Sequence, residues 1–172
     1  MSQTILSKLK ADETVALQRL LQLYYFESTD WSKEEIGYDG LYDGSTALDL
    51  ESYIDSPDAA AYIIRTNKNI SGFVMLDKVE IEGAPIWELA DLFVLPKYRS
   101  GWVALEVVRQ IIAHIEQPML ASTFKDNAHA FRFFKAVSKR LPLGSVREII
   151  EADKPHFHSF IINEHATRKA AA

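Results

Sequence analysis

The chain contains no cysteine, which excludes disulfides, thiolate metal sites and a cysteine nucleophile together. Glycine and proline are scarce, with 7 and 6 residues in 172, and no repeat or low-complexity tract interrupts the sequence. No apolar run approaches the roughly 20 residues that a membrane span requires. The opening residues M-S-Q-T-I-L-S-K-L-K lack the hydrophobic region of a signal peptide. A cytoplasmic protein that meets no membrane is the expectation. Basic charge is also short, 19 Lys and Arg against 24 Asp and Glu for a net of −5. That argues against general nucleic-acid binding, which depends on a basic footprint.

What is present fits a soluble globular chain. Hydrophobic residues make up 48% and charged residues 25%, and the length suits one domain with a sizeable core. The reading is a single domain over residues 1–163 with a frayed tail at 164–172. Charge is unevenly spread: residues 1–60 hold 12 acidic and 4 basic side chains, net −8, and the remainder holds 12 and 15, net +3. The two halves should do different work.

The stretch from Trp87 to Gln110 joins an apolar strand to an apolar helix through a short basic loop. Pro96 ends the strand, Lys97 and Arg99 are cationic, Ser100 and Gly101 supply a small, flexible turn, and the helix starts near Val103. A pyrophosphate placed there would meet free helix N-terminal amides, the positive end of the dipole and two basic side chains. An ordinary strand-turn-helix corner with surface charges fits the same residues, and both readings stay open.

The run E-L-A-D-L-F-V-L-P-K-Y-R-S-G-W-V-A, followed by N-A-H-A-F-R-F-F-K-A-V at Asn127 to Val137, resembles the two central motifs of the GNAT superfamily of acyl-CoA acyltransferases. It is most similar to the branch of predicted acetyltransferases without assigned substrates. The resemblance covers residues 4–163. In the family's first motif Arg99 and Ala104 fit the outer positions and Trp102 stands where the first glycine belongs; alternatively the loop is one residue short and Gly101 fills that place. In the second motif Asn127, Ala130 and Phe133 fit, Phe134 replaces the usual tyrosine, and the lysine usual two residues later is missing, with Ala136 in its place. The resemblance implies acetyl transfer from acetyl-CoA, with the pyrophosphate at Lys97, Arg99, Ser100, Gly101, Trp102, Val103 and Ala104, further cofactor contacts at Asn127 and Phe134, and the pantetheine arm against the backbone of Leu92, Phe93 and Val94.

Patterning along the chain gives the expected elements. A strand covers Thr4 to Lys10 with Ile5 and Leu9 inward. A helix capped by Asp12 follows, with the stripe Leu17, Leu20, Leu21 and Tyr24, and Tyr24, Tyr25 and Phe26 read as core. Residues 28–45 read as a long loop, and Leu48 to Ile54 as a short helix. Ala60 to Thr66, Ile70 to Val79 and Ile86 to Leu95 form an antiparallel meander, in which Gly72 marks a bulge or a close backbone approach. A helix from Val103 to Ile115 and a strand from Met119 to Phe124 imply a parallel pair by a right-handed crossover. Asp126 caps a helix from Asn127 to Lys139, and strands at Val146 to Glu151 and Phe157 to Asn163 close the fold. The class is α/β or α+β, a mixed and mostly antiparallel sheet of about seven strands with helices on both faces, as the GNAT resemblance implies.

Two carboxylates, Glu88 and Asp91, lie in the central strand. Strict alternation puts them on opposite faces, and a bulge would swap one of them. Similarity to GNAT members that carry a strand glutamate makes Glu88 the first choice for a general base, acting through water, with Asp91 second; pairing of Glu88 with a neighbouring cation is the competing reading. His156 and His158 share a strand face and read as a surface pair, so no metal site is assigned. Two function classes remain: an acetyl-CoA-dependent N-acetyltransferase acting on a small-molecule or peptide amine, and a catalytically silent relative that binds an acyl-CoA or a protein partner. The GNAT resemblance implies that the first helix and the loop at residues 28–45 wall the acceptor side, where Asp30, Glu34, Glu35, Asp39 and Asp43 would favour a cationic acceptor; carboxylates that only solvate an exposed loop fit the same residues. Monomer and homodimer are both compatible with the sequence.

Overall fold

A computed structural model describes residues 3–99, 102–115 and 118–164, the Thr46 side chain excepted. The elements run β1 (Thr4–Lys8), α1 (Thr14–Ser32), α2 (Asp43–Thr46), β2 (Ala59–Thr66), β3 (Asn69–Ile81), β4 (Ala84–Val94), α3 (Val103–His114), β5 (Met119–Phe124), α4 (Ala128–Arg140), β6 (Val146–Ile149) and β7 (Phe157–Ile162). The strands form one sheet in the order β1-β2-β3-β4-β5-β7-β6. β4 and β5 run parallel, and every other neighbouring pair is antiparallel. The expected mixed sheet, its meander and its single crossover are all present.

Alternation along the strands feeds two cores, one on each face. On the first face Val74, Leu76 and Val94 pack against Val103, Val107, Val108 and Ile111 of α3 and Phe134 and Val137 of α4. On the second, Phe73, Met75 and Phe93 pack against Leu17, Leu20 and Leu21 of α1 and against Leu50 and Tyr53. Helices therefore cover both faces, and the sheet between them is the rigid frame of the molecule.

Local chemistry overrides the expected boundaries in several places. Ile5 points outward at 45% exposure, and Leu9 is buried. Asp12 does not cap α1, because Ala11–Glu13 forms a 3-10 turn in which a Glu13 carboxylate oxygen accepts from the Lys10 backbone N–H at 3.3 Å. α1 runs on through Ser32, into residues read as loop, and within it the Ser28 hydroxyl donates to the Tyr25 carbonyl at 3.2 Å. Lys33, at φ 58, ends the helix. The expected helix at Leu48 to Ile54 is a 3-10 turn, Leu50–Tyr53, capped by Asp49. α4 is capped by Asn127, whose side chain accepts from the Ala130 N–H at 2.9 Å, and not by Asp126. Phe26 is 67% exposed, whereas Tyr24 packs edge-on against Phe73 and Phe93.

Two irregularities shape the centre of the sheet. In the β3–β4 ladder Met75 faces Asp91 and Leu76 faces Leu89, so Ala90 is an extra residue and β4 bulges there. The parallel β4–β5 ladder holds only Trp87↔Met119, Glu88↔Leu120 and Leu89↔Ala121. Past that point β4 continues to Val94 and β5 to Phe124 without pairing to each other. The two strands part just where the bulge bends one of them.

Gly72 holds β3 close to the far end of β4. A Cβ at this position would stand 2.0 Å from the Phe93 carbonyl oxygen, a contact that only strand separation could relieve. Gly72→Ala should destabilise the protein by about 1–3 kcal/mol, the range for overpacking, seen as a lower urea midpoint. An unchanged midpoint would mean that the two backbones do not approach so closely.

Candidate active site

The bulge decides which side chains meet. Asp77 follows Phe73 and Met75 by alternation on the face covered by α1, and Asp91 precedes Phe93 on the same face. Trp87 and Leu89 pack into the opposite core, so Glu88 between them also faces α1. Strict alternation would have separated Glu88 from Asp91; the extra residue at Ala90 puts both on one face, with Asp77 opposite Glu88 in the ladder.

Burial, with a neighbouring acid, raises the proton affinity of both Glu88 and Asp91. Burial raises the Glu88 carboxyl above its ordinary value, and Glu151 and Asp77 add to this; Lys154 and a hydrogen bond from Ser122 pull the other way. Asp91 is raised by burial and by Asp77, against a hydrogen bond from Tyr24. The tyrosines answer in kind. Tyr24 is pushed far up by burial and by Asp91, and Tyr25 to about 12 by burial, Asp91 and Glu34. Tyr53 is pushed up by burial and by its hydrogen bond to Asp77.

A chain of polar groups leads away from Glu88. Ser122 on β5 lies between Glu88 and Ser159 and, with a single proton, donates to one of them at a time. Ser159 donates to Glu151. Lys154 Nζ closes the ring, 3.7 Å from Glu88 Oε1 and 3.5 Å from Glu151 Oε2. Nearby, a cavity of about 740 Å³ opens between the β3–β4 hairpin and residues 147–154, lined by Glu80, Glu82, Glu148, Glu151 and Asp153 against Arg147 and Lys154. Arg147 ties its walls together, with Glu82 at 3.0 Å and Glu164 at 2.7 Å. The cavity shares Glu151 and Lys154 with the cluster around Glu88.

The other proposed contacts lie where β4 leaves β5. Leu92 and Val94 point into the α3–α4 core and Phe93 into the α1 core, leaving their backbone edge toward β5 outside the ladder. Across the gap the Thr123 hydroxyl is buried with no protein partner, an arrangement that fits a polar ligand between the strands. α3 begins at Val103, buried, and Ala104, half-buried, with no side-chain cap on its N-terminus. Lys97 is exposed, 5.4 Å from the Tyr98 ring centre. Arg99 turns back: its Nε donates to the Val94 carbonyl at 2.6 Å and its Nη2 to Glu27 at 2.6 Å. Trp102 is 65% exposed and carries the Arg140 guanidinium 4.7 Å over its ring, so the indole is directed outward. Ser100 and Gly101 lie outside the described residues. Asn127 is occupied in capping α4. Phe134 is buried and stacked 4.3 Å from Phe160, an apolar packing that a tyrosine hydroxyl would disturb.

Sequence reasoning missed Tyr24 as a partner of Asp91, and Asp77, Ser122, Glu151 and Lys154 altogether. The one available signal was Asp77, a carboxylate closing the apolar run G-F-V-M-L of β3. In the acidic loop Glu34 reaches Tyr24 and Tyr25 electrostatically, and Asp39 accepts from the Leu41 N–H at 3.1 Å and closes its own turn. His158 stacks on Phe131 at 4.5 Å, beside Glu148.

Known proteins share this architecture. An acetyltransferase from Thermus thermophilus superposes with a TM-score of 0.66 at 15% identity, over 92% of this chain and 95% of its own. NAA60 of Arabidopsis thaliana, solved with a bisubstrate analogue, gives 0.55 at 12% identity over 93% and 96%. AAC(6')-Iy, in complex with the bisubstrate analogue CoA-S-monomethyl-acetylneamine, gives 0.57 at 17% over 78% and 89%. At these identities the likeness is one of fold. No curated protein matches the chain by sequence. The acetyltransferase (GNAT) family model, however, matches residues 17–137, which hold the bulged strand, the loop after it and the capped helix described above, and the chain belongs to that family.

Proposed function

We propose that the protein is an N-acetyltransferase that moves the acetyl group of acetyl-CoA to a cationic amine, with Glu88 as general base. The observation that carries this reading is the parting of β4 from β5 beside a half-buried carboxylate with raised proton affinity. Unpaired strand backbone at Leu92 to Val94 can accept the pantetheine amides as an added strand would, and the buried Thr123 hydroxyl supplies a further polar partner. The uncapped N-terminus of α3 suits the pyrophosphate. Bound acetyl-CoA supplies the thioester; the chain supplies the base, the positioning and the acidic approach.

An amine arrives as an ammonium and must lose a proton before attack. The acids around the cavity attract it, and Glu88, raised by burial, is a stronger proton acceptor than a surface glutamate. The sulfur leaves without help from α4, because Phe134 is a buried hydrocarbon ring. For a thiol of pKa about 8.5, departure as thiolate near neutral pH costs only ~2 kcal/mol. Tyr24 is no substitute acid, since its hydroxyl is held on Asp91 with its proton tightened.

Cofactor binding is tested by thermal shift. At about 100 times its Kd, CoA should add ~2.7 kcal/mol, and Trp102→Ala should keep this gain while costing the free protein only about 0.5–1 kcal/mol from the lost Arg140 contact. A CoA gain abolished in the variant would mean that the indole itself holds the cofactor. A gain in the wild type with no turnover on any amine would leave an acyl-CoA binder.

Glu88→Gln is expected to lower kcat by about 100-fold or more with little change in CoA affinity, because a base acts in the transition state. In the wild type, kcat/KM should rise with pH through an apparent pKa above the ordinary glutamate value of 4.5, since Glu88 works only when deprotonated and burial raises it. Equal rates and superimposable pH profiles for the two proteins would remove Glu88 from the chemistry.

A further inference from the structure

We propose that Lys154 is a self-acetylation site, an acceptor built into the chain. The proposal rests on the reading of Glu88 as base. Lys154 Nζ stands between Glu88 and Glu151 at 3.7 and 3.5 Å, where an acceptor ammonium must arrive for Glu88 to take its proton. Glu88 in turn sits one pair before Leu89↔Ala121, the last rung of the β4–β5 ladder. The lysine therefore reaches the carboxylate that stands one rung before the strands part.

The ion pairs bring Lys154 there without locking it. They are longer than the roughly 2.7–2.9 Å of tight charge-assisted hydrogen bonds, in contrast to the 2.7 Å Arg147 pair with Glu164 and the 2.6 Å Arg99 pair with Glu27. The residue lies in the connection between β6 and β7, where Ile150, Ala152, Asp153, Pro155 and His156 are all exposed. Its four-carbon stem has the length and rotatable bonds to follow a reacting carbonyl. Arginine, always charged, could occupy the same place without reacting.

The step balances without another reagent. One Nζ proton passes to the Glu88 carboxylate, and the freed lone pair attacks the thioester carbonyl carbon. The C–S bond breaks, CoA departs as thiolate and takes up the second proton, which the nitrogen loses as the tetrahedral adduct collapses, and the products are Nζ-acetyl-lysine at position 154, free CoA and a protonated Glu88. Acetylation also removes the positive charge that Glu88 and Glu151 share, leaving both carboxylates to an incoming cation.

The test is incubation of the full chain with acetyl-CoA and no acceptor, followed by intact mass and peptide mapping. Lys68, exposed in the β2–β3 turn, reports uncatalysed acetylation. Lys154 should gain an acetyl group on the order of 100-fold faster than Lys68, the scale of general-base catalysis, at a rate per molecule independent of protein concentration. Glu88→Gln should reduce Lys154 to the Lys68 rate while keeping the CoA thermal shift, which also reports that the variant is folded. Lys154→Arg should end acetylation at that position and leave Lys68 unchanged. Equal rates at Lys154 and Lys68, indifference to Glu88→Gln, or a rate that scales with protein concentration would overturn the proposal. If added amines are acetylated while Lys154 is not, self-acetylation alone fails; if CoA gives no thermal shift, the proposed function fails with it.

Discussion

The single extra residue at Ala90 is the constraint on which the site depends. A regular β4 would turn Glu88 and Asp91 to opposite sides of the sheet, one toward each helical layer. With the bulge, both face α1 together with Asp77, and β4 bends at the point where it parts from β5. One local irregularity thus collects the carboxylates on one side of the strand while freeing the backbone edge beside them. Gly72, with the Phe93 carbonyl where a side chain would stand, keeps the free end of β4 on β3 once its other neighbour is gone.

Grouping these acids has an energetic cost that other parts of the fold offset. Asp91 and Glu88 have raised proton affinities in the folded chain, so the fold favours their protonated forms. Stability linked to them is therefore present at low pH and is lost as pH rises from the unfolded-state value through the folded one. The two cores, with Phe73, Met75, Leu76 and Val74 all but fully buried, supply the apolar burial that tolerates this. Tyr24 and Tyr53 moderate it locally, each donating a hydrogen bond to one of the aspartates. Carboxylates kept at such a cost are what an acid-base site requires.

Most of the fold could be read from the sequence because it rests on short-range chemistry. Alternation gives the meander, the stripe from Val103 to Ile111 gives α3, and β5 lies on the residues expected. Errors fell at element boundaries: Asn127 in place of Asp126 as cap, and α1 running through Ser32 into the supposed loop. The site was less legible. Glu88 and Asp91 stood out as acids in an apolar strand, but their shared face depends on a bulge that alternation cannot place. Ser122, Glu151 and Lys154 come from segments that only the folded sheet brings to Glu88. Arg99 looked like a phosphate ligand from its loop alone, and its tie to Glu27 joins residues 72 apart in sequence.

The proposed function requires that the parted β4 edge, beside Glu88, bind the pantetheine arm of CoA. Backbone hydrogen exchange resolved to single amides tests it directly, in the free chain and with saturating CoA. The account predicts strong added protection within Leu92 to Val94 and at the start of α3, with little change in β1 and β2. Unchanged exchange across Leu92 to Val94, with protection confined to other segments, would contradict it.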